Sequence, residues 1–274
     1  MLTHGFVVDA NGQKMSKSRG NIVAPQKIVE SLGADVLRLW VASTNFSAEM
    51  AVSEEIMKHT AEAYRRIRNT ARFMLANLAG FDPAQHLQAD HELLSLERWL
   101  LATAQQLQNE IIDDYHRYRF HHICKRIHNF CSVQMGGFYL DIIKDRLYTL
   151  RENHPARRSA QTAMYHLVHA FARWLAPVLS FTADEIYQHI PGKREEHVLL
   201  EKTWYAHLPA YGSDHELKYE DWTRILEVRE QINKQLEQLR ADDHIGSSLD
   251  AEVHLYCQEP DRLLLKELSL IHIS

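Results

Sequence analysis

Two lysines and two serines lie within the five-residue segment Lys14–Ser18, and this arrangement is suited to holding phosphate. A lysine ammonium is a compact cation with three hydrogen-bond donors, and serine hydroxyls add short donors. Gly12 and Gly20 flank the segment and let its backbone bend close to a ligand. Such a loop can stabilise the charge that develops on a triphosphate as it is attacked. An RNA phosphate is the alternative ligand, because lysine alone does not distinguish the two.

The elements around this loop are expected to form the end of a Rossmann-type nucleotide-binding domain at residues 1–50. Leu2 to Val8 has the pattern of a short strand that leads into the loop. Pro25 suits the first turn of a helix that Gly33 can end. The next apolar stretch, Ala34 to Ala42, is compatible with a helix or a strand. This opening region is expected to have no closed core of its own.

Long amphipathic patterns predict an antiparallel helical bundle at residues 51–200. Ser53 is a suitable N-cap for the first helix, because two glutamates follow it in the first turn. Further helical patterns run from about Leu93 to Tyr115, from Phe120 to Leu150 and from Ala156 to Leu175. Gly136-Gly137 is expected to mark a bend or a close helix crossing, and Thr182 to cap a short helix. Long amphipathic helices with short links form bundles, so the fold class is mainly α.

Residues 201–274 are expected to form a linker and a small mixed α/β piece that extends the bundle. A charged helix is predicted from about Asp221 to Arg240, a strand from Glu252 to Cys257, and a last helix after Pro260. The apolar ending Leu270–Ser274 closes no recognisable element. We expect it to be a cut site or a cloning remnant.

The composition is that of a globular protein, and its 274 residues can bury a sizeable core. No apolar run approaches the ~20 residues of a membrane helix, and the N-terminus lacks the order of a signal peptide. We therefore predict a cytoplasmic protein with no membrane partner. The sequence has three cysteines and no Cys-x-x-Cys pair. We therefore predict that Cys124, Cys131 and Cys257 are reduced core thiols.

Local basic clusters are compatible with a nucleic-acid partner despite the net charge of -5. Phosphate contacts depend on where lysine and arginine cluster rather than on net charge. Tyr64–Phe73 and Arg117–Arg126 each contain four basic residues and no acid. A solvated basic face is the alternative, and residue type alone does not separate the two. The candidates for RNA contact are Arg65, Arg68, Arg72, Arg117, Arg119, Lys125 and Arg126.

Two other groups of side chains have catalytic or metal-binding residue types but are better explained by packing. The first comprises His121, Cys124, His128 and Cys131 on one side of a helix. At a rise of about 1.5 Å per residue, its outer members lie about 15 Å apart and cannot share an ion. Cys124 with His128 could serve one ion only with ligands from elsewhere, so we predict no metal site. The second group comprises Asp113, Asp114, Asp141 and Asp145. Their basic neighbours favour salt links between bundle helices, or contacts that orient tRNA, over acid–base catalysis.

Several segments together resemble a known family. The lysine loop resembles the second signature sequence of class I aminoacyl-tRNA synthetases. Three further stretches resemble the bacterial isoleucyl subgroup, and they are Gly33–Trp40, Tyr64–Phe73 and Phe138–Tyr148. The resemblance covers nearly the whole chain. The valyl subgroup shares the first two stretches in similar form, so the third carries the choice of isoleucine.

This resemblance implies an ATP-dependent ligase. In that family, an amino acid and ATP form an aminoacyl-adenylate and pyrophosphate, and the acyl group then passes to tRNA, here tRNA(Ile). Lys17 is the first candidate for a catalytic contact with the departing pyrophosphate, and Lys14 is the second. The implied ATP-contacting set is Lys14, Met15, Ser16, Lys17 and Ser18, with Mg²⁺ accompanying ATP in the intact enzyme. The bundle is the implied anticodon-binding domain, which docks the inner limb and the anticodon stem-loop of tRNA.

The family also needs parts that do not precede Lys14 in this sequence. They are a His-Ile-Gly-His motif, an amino-acid pocket and an editing domain. His244-Ile245-Gly246 matches only part of the motif and is interpreted as a turn. We therefore expect the N-terminal catalytic and editing domains to be missing, and this chain alone to be inactive in isoleucine activation. Two alternatives stay open, a valyl-tRNA synthetase fragment and a non-catalytic helical RNA-binding or interaction module.

Overall fold

The computed structural model describes residues 3–192, 203–212, 217–247 and 250–269. The chain forms two compact units, Met1–Ala210 and Tyr211–Ser274. Within the described residues, no helix is both long and apolar enough to cross a membrane. The residues 270–274, for which a cut site or cloning remnant is expected, lie outside the described part of the chain.

The first unit is mainly helical and begins with a small strand–helix–strand arrangement. In chain order its helices and strands are β1 (Val7–Val8), α1 (Pro25–Leu32), α2 (Ala34–Ser43), β2 (Met50–Ala51), α3 (Glu54–Asn77), α4 (Pro83–His86), α5 (Ser95–His116), α6 (Phe120–Asn129), α7 (Leu140–Ile142), α8 (Lys144–Thr149), α9 (Pro155–Leu175) and α10 (Ser180–His189). Lys17–Arg19 forms a 3₁₀ turn, and Phe130–Tyr139 is a π-helical segment between α6 and α7.

The strands β1 and β2 pair in parallel, and the lysine loop follows β1 directly. Val7 lies opposite Met50, and Val8 lies opposite Ala51. Parallel strands need a crossover connection, which α1 and α2 supply here. The predicted helix from Pro25 is confirmed, and the ambiguous stretch after it is helical.

The hydrophobic core of this opening region is completed by the bundle. Its buried members are Ile28, Val36, Trp40, Met50, Val52 and Met57. Met57 belongs to α3, so residues on both sides of the boundary predicted near residue 50 share one cluster. That boundary stays a prediction.

The bundle is built on α3, α5 and α9, whose long amphipathic patterns are confirmed as helices. Ser53 caps α3 as predicted, because its Oγ accepts a hydrogen bond from the Ile56 backbone N–H at 3.1 Å. The pattern predicted as one helix from Phe120 to Leu150 is divided by the π-helical segment Phe130–Tyr139, which contains Gly136 and Gly137, and the bend or helix crossing expected at these glycines stays a prediction. A Cβ at Gly136 would lie 3.1 Å from the Cys131 carbonyl oxygen, so a side chain there would crowd this widened turn.

A buried carboxylate from α2 caps α10. Asp35 Oδ2 accepts from the Thr182 backbone N–H at 2.7 Å and from Thr182 Oγ1 at 2.6 Å. The prediction that Thr182 itself caps this helix is therefore wrong, because the helix begins at Ser180 and the capping acceptor comes from a residue 147 positions away. Arg38 reinforces the joint by donating to the backbone oxygens of Val178 and Pro177.

The bundle interior contains a buried ion pair between α5 and α8. Arg146 Nη1 lies 3.0 Å from Glu97 Oε1, and the two residues are 8 % and 0 % exposed. Ser159 Oγ and Tyr139 Oη also donate to Glu97, at 3.3 and 3.4 Å. Burial raises the pKa of Glu97, and the neighbouring Arg146 guanidinium opposes that shift. The pair therefore joins two helices at an electrostatic cost to the core.

The second unit contains α11 (Tyr219–Ala241) and α12 (Glu259–Ser269) in its described part. Arg224 Nε and Nη2 donate to the two carboxylate oxygens of Asp261 at 2.9 and 2.7 Å, joining the helices. The strand predicted from Glu252 to Cys257 is wrong, since residues 251–258 have no regular secondary structure. A strand needs a pairing partner, and the described residues of this unit offer none. Cys257 is consequently exposed, against the prediction of a core thiol.

Candidate nucleotide loop and nucleic-acid face

The loop that carries the lysines is shaped on its incoming side by Asp9. Asp9 Oδ1 accepts hydrogen bonds from the backbone N–H groups of Asn11 and Gln13, both at 2.9 Å. The Gly12 N–H donates to the Asp9 carbonyl oxygen at 3.0 Å, and Gly12 has a φ of +72°. A residue with a Cβ would be strained there, so glycine is needed for this tight turn. The turn leads directly into Lys14.

The outgoing side of the loop is held by Asn21. Its Oδ1 accepts from the Ser16 backbone N–H at 3.0 Å, and its Nδ2 donates to Asp9 Oδ2 at 2.9 Å. The hydrogen bond from Asn21 and the backbone N–H of Gln13 hold the pKa of Asp9 below its ordinary value. The carboxylate is therefore ionised at neutral pH. Asp9 and Asn21 were not predicted as site residues, although both flank the lysine loop in the sequence.

The two lysine side chains are exposed and lie on opposite sides of Met15 in the sequence. Neither ammonium forms an ion pair with a residue that the structure describes. Lys14 Nζ lies 5.5 Å from the centroid of the Phe6 ring. Lys17 begins the 3₁₀ turn, which Gly20 closes at a φ of +69°. The loop thus presents two uncompensated cations to solvent, as a phosphate site requires.

The remaining members of the predicted ATP set, the two serines and Met15, differ in their contacts. Ser16 Oγ and Ser18 Oγ lie 3.2 Å apart, so the two hydroxyls share one hydrogen bond at the loop surface. Met15 is half-buried and packs against the core cluster of the opening region. Its sulfur also accepts from the Val23 backbone N–H at 3.5 Å. Met15 therefore anchors the loop, and its predicted contact with ATP stays a prediction.

The first basic cluster lies on the exposed side of α3. Arg65, Arg68 and Arg72 are all exposed, as the helical spacing predicts. Arg68 Nη2 pairs with Glu185 Oε1 at 3.1 Å. The guanidinium groups of Arg65 and Arg72 have no ion pair or hydrogen bond to any residue in the described ranges. These two guanidinium groups are the ones available to an anion.

A groove of about 660 Å³ runs between α3 and the π-helical segment beside Arg65. Arg65, Asn69 and the acidic Glu62 line one wall, and the exposed Gly136 and Gly137 line the other. Glycines let a ligand approach the backbone closely, and the guanidinium supplies charge. The groove therefore has features that suit a sugar–phosphate backbone.

The second basic cluster is largely neutralised by carboxylates of α5. Arg117 Nε and Arg119 Nη2 each lie 3.0 Å from an oxygen of Asp113. Arg126 Nε lies 2.8 Å from Asp114 Oδ2, and its Nη1 also contacts Glu110. The salt links predicted for Asp113 and Asp114 are confirmed, and Lys144 pairs with Asp141 at 2.8 Å in the same way. Within this cluster, Lys125 is exposed and unpaired among the described residues.

Of the four residues on this helix face, Cys124 and Cys131 are buried in the core, whereas His121 and His128 are half-buried. Burial raises the pKa of both Cys124 and Cys131 to about 12, so both are protonated thiols at neutral pH. Burial, with a smaller contribution from Arg66, lowers the pKa of His128. No group of three or more His, Cys, Asp or Glu side chains able to hold a metal occurs in the described part of the chain.

Comparison with protein families matches two regions of the chain. Residues 97–255 match the anticodon-binding domain of tRNA ligase. Residues 1–53 match the class I tRNA synthetases of the I, L, M and V group. The second match contains the lysine loop, and the first contains most of the helical bundle.

Curated relatives with high identity are isoleucine–tRNA ligases. The chain is 58 % identical to that of Thioalkalivibrio sulfidiphilus over 94 % of its length. It is 57 % identical to that of Nitrosococcus oceani over 98 % of its length. The matched segment is 27 % and 28 % of these relatives, so the chain spans about a quarter of their length.

Among solved structures, the fold is similar to a leucyl-tRNA synthetase of Agrobacterium radiobacter, solved as a ternary complex with tRNA and LeuAMS. The TM-score is 0.54 at 17 % identity, covering 76 % of this chain and 23 % of that one. At this identity the likeness concerns the fold alone.

Proposed function

We propose that this chain is the ATP-loop and tRNA-docking segment of an isoleucine–tRNA ligase. The chain belongs to the family of tRNA ligases that share the anticodon-binding domain. The observation that carries the proposal is the exposed pair of ammonium groups, Lys14 and Lys17, on a loop fixed by hydrogen bonds at both sides. High identity to isoleucine–tRNA ligases over nearly the whole chain supports the choice of amino acid. The valyl and the non-catalytic alternatives have no such support.

The lysines act in the first chemical step. A carboxylate oxygen of isoleucine bonds to the α-phosphorus of ATP, and the bond from that phosphorus to the bridging oxygen breaks. The electron pair leaves with pyrophosphate, so negative charge grows on the departing group. Lys17 and Lys14 stabilise that charge more in the transition state than in the ground state, which lowers the barrier. The hydroxyls of Ser16 and Ser18 add neutral donors.

Mg²⁺ is proposed to enter with ATP rather than to be held by this loop. The described loop offers ammonium groups and hydroxyls, whereas Mg²⁺ prefers carboxylate and phosphate oxygens. Both oxygens of Asp9 are already occupied by hydrogen bonds within the loop. The described residues of this loop therefore do not fit a protein-held magnesium ion.

Docking of tRNA(Ile) is proposed for the α3 face. Arg65 and Arg72 form no ion pair among the described residues, and Lys125 on α6 offers one more unpaired cation. Arg68, Arg117, Arg119 and Arg126 remain candidates, but a carboxylate already neutralises each of them. To contact a phosphate, these arginines would have to break their ion pairs or share their donors with the phosphate. This favours the unpaired residues Arg65, Arg72 and Lys125 as the tRNA contacts.

The full-length protein that carries this sequence tests the proposal in an aminoacylation assay. We expect isoleucine-dependent exchange of pyrophosphate into ATP, and charging of tRNA(Ile) in preference to tRNA(Val). Charging specific for valine would instead support the alternative that the chain is part of a valyl-tRNA synthetase. The absence of both activities, together with salt-insensitive tRNA binding, would favour the non-catalytic module. The expectation that this chain alone is inactive is tested in the same exchange assay.

A further inference from the structure

Asp9 and Asn21 form a side-chain clamp that joins the two ends of the lysine loop. Asp9 directly follows β1, and Asn21 directly follows the 3₁₀ turn and Gly20. Their side chains meet through the 2.9 Å hydrogen bond from Asn21 Nδ2 to Asp9 Oδ2. Residues 10–20, which include both lysines, lie between them. The clamp therefore closes the loop at its base.

Each atom of the clamp has a specific hydrogen-bonding role. Asp9 Oδ1 receives two backbone N–H groups, whereas Asp9 Oδ2 receives the amide of Asn21. Asn21 Oδ1 accepts from the Ser16 backbone, so its nitrogen must face Asp9. A carboxylate only accepts, whereas an amide has one accepting and one donating end. The pair is complementary, and changing either member alone creates a mismatch.

The clamp acts on the backbone beside the lysines. Asn21 binds the Ser16 N–H, and its Nδ2 also lies 3.4 Å from the Lys14 carbonyl oxygen. Lys14 is also held to Val8 by an isolated antiparallel bridge. The backbone atoms on both sides of Met15 are therefore tied to the strand that starts the loop. This fixes where the lysine side chains begin while leaving their ammonium ends free.

We propose that Asp9 and Asn21 are positioning residues for the ATP step, which hold Lys14 and Lys17 at the departing pyrophosphate without touching the nucleotide themselves. This inference rests on the function proposed above. Positioning matters because a displacement of about 1 Å in a charge clamp can cost about 100-fold in rate. The clamp should therefore affect adenylate formation more than later acyl transfer, in which no pyrophosphate leaves.

The test uses the full-length protein, two single variants, and the double variant in which the two residue types are exchanged, called the swap below. Asp9→Asn places an amide nitrogen against Asn21 Nδ2 or against the backbone donors, and Asn21→Asp places two carboxylates face to face. The double variant Asp9→Asn/Asn21→Asp restores complementarity, because an amide at position 9 can donate to a carboxylate at position 21. The other oxygen of that carboxylate still accepts from Ser16. Asn11→Ala is the control, since the exposed Asn11 contributes its backbone N–H and not its side chain.

The readouts are isoleucine-dependent pyrophosphate exchange, transfer from added isoleucyl-adenylate to tRNA(Ile), and thermal unfolding. We expect each single variant to lower kcat of exchange by about 10- to 100-fold while transfer stays within about twofold. The swap should recover most of the exchange rate, and Asn11→Ala should resemble the parent.

Single variants with unchanged exchange would overturn the inference. A swap no better than either single variant would also overturn it. Equal losses of exchange and transfer would assign the pair a purely structural role, contrary to the proposal. A parent protein without isoleucine-dependent exchange would instead remove the proposed function, and with it the basis of this inference.

Discussion

We expect the substitution Arg146→Met to destabilise the bundle in a pH-dependent manner. Arg146 is the closest side-chain donor to the fully buried Glu97, at 3.0 Å, and the other two side-chain donors are neutral and lie at 3.3 and 3.4 Å. Methionine fills similar volume but leaves the carboxylate without a cation. Breaking a buried ion pair from one side typically costs about 3–5 kcal/mol in the free energy of unfolding.

The pH dependence follows from the raised pKa of Glu97. Burial already raises this pKa above the ordinary value of 4.5, and removing the guanidinium raises it further. A carboxyl that binds its proton more tightly when folded stabilises the fold below the unfolded pKa. That stability is lost as pH rises through the folded pKa. The cost of Arg146→Met should therefore be larger at pH 8 than at pH 5, by up to about 1.4 kcal/mol per unit of further pKa shift.

Urea unfolding of this chain at both pH values, followed by circular dichroism, measures the effect. Two controls define it. Lys144→Met removes an exposed ion pair of the neighbouring helical turn and should cost at most about 0.5 kcal/mol. Glu97→Gln/Arg146→Met removes both charges and should recover much of the loss and most of its pH dependence. A cost below about 1 kcal/mol at pH 8, or an equal cost at both pH values, would refute the reasoning.

Three further expectations concern the lysine loop, the arginines of α3, and the contact between α2 and α10 at Asp35. Lys17→Ala in the full-length protein should lower kcat for pyrophosphate exchange by about 10²- to 10³-fold, by analogy with the loss of one transition-state donor, and an unchanged rate would contradict the assigned role. Arg65→Ala/Arg72→Ala should weaken tRNA binding and reduce the slope of log affinity against log salt by about 1 to 2 in a titration at several salt concentrations. An unchanged slope would count against phosphate contact on α3. Asp35→Ala should lower the free energy of unfolding by about 2–4 kcal/mol, measured by urea unfolding, because it leaves the buried Thr182 N–H without its acceptor. A loss below about 0.5 kcal/mol would show that water or another group replaces the cap.

The helices were predictable because their information is local. An amphipathic helix repeats its apolar residues at helical spacing, and Ser53 and Pro25 mark two of the helix starts within one turn. The strand predicted at Glu252 to Cys257 failed because pairing requires a second strand, which no local pattern supplies. The exposure of Cys257 follows from the same cause.

The chemical identity of the lysine loop was also available from the sequence. Lys14 and Lys17 could be recognised by residue type and spacing. Their freedom from ion pairs among the described residues required the structure. The same holds for the basic clusters, where charge counts treated Arg126 and Arg72 alike. Only the fold brings Asp114 and Glu110 onto Arg126 and leaves Arg72 unpaired within the described residues.

Local sequence patterns were enough to predict the helical class, the lysine loop and the family resemblance, because each depends on neighbours within a few turns of chain. The pairs of polar groups that meet across long separations became visible only in the folded chain. Asp35 reaches Thr182 over 147 positions, and Arg146 reaches Glu97 over 49. Such partners are selected by the geometry of packed helices, since a buried donor or acceptor must be satisfied by whichever group the fold places beside it.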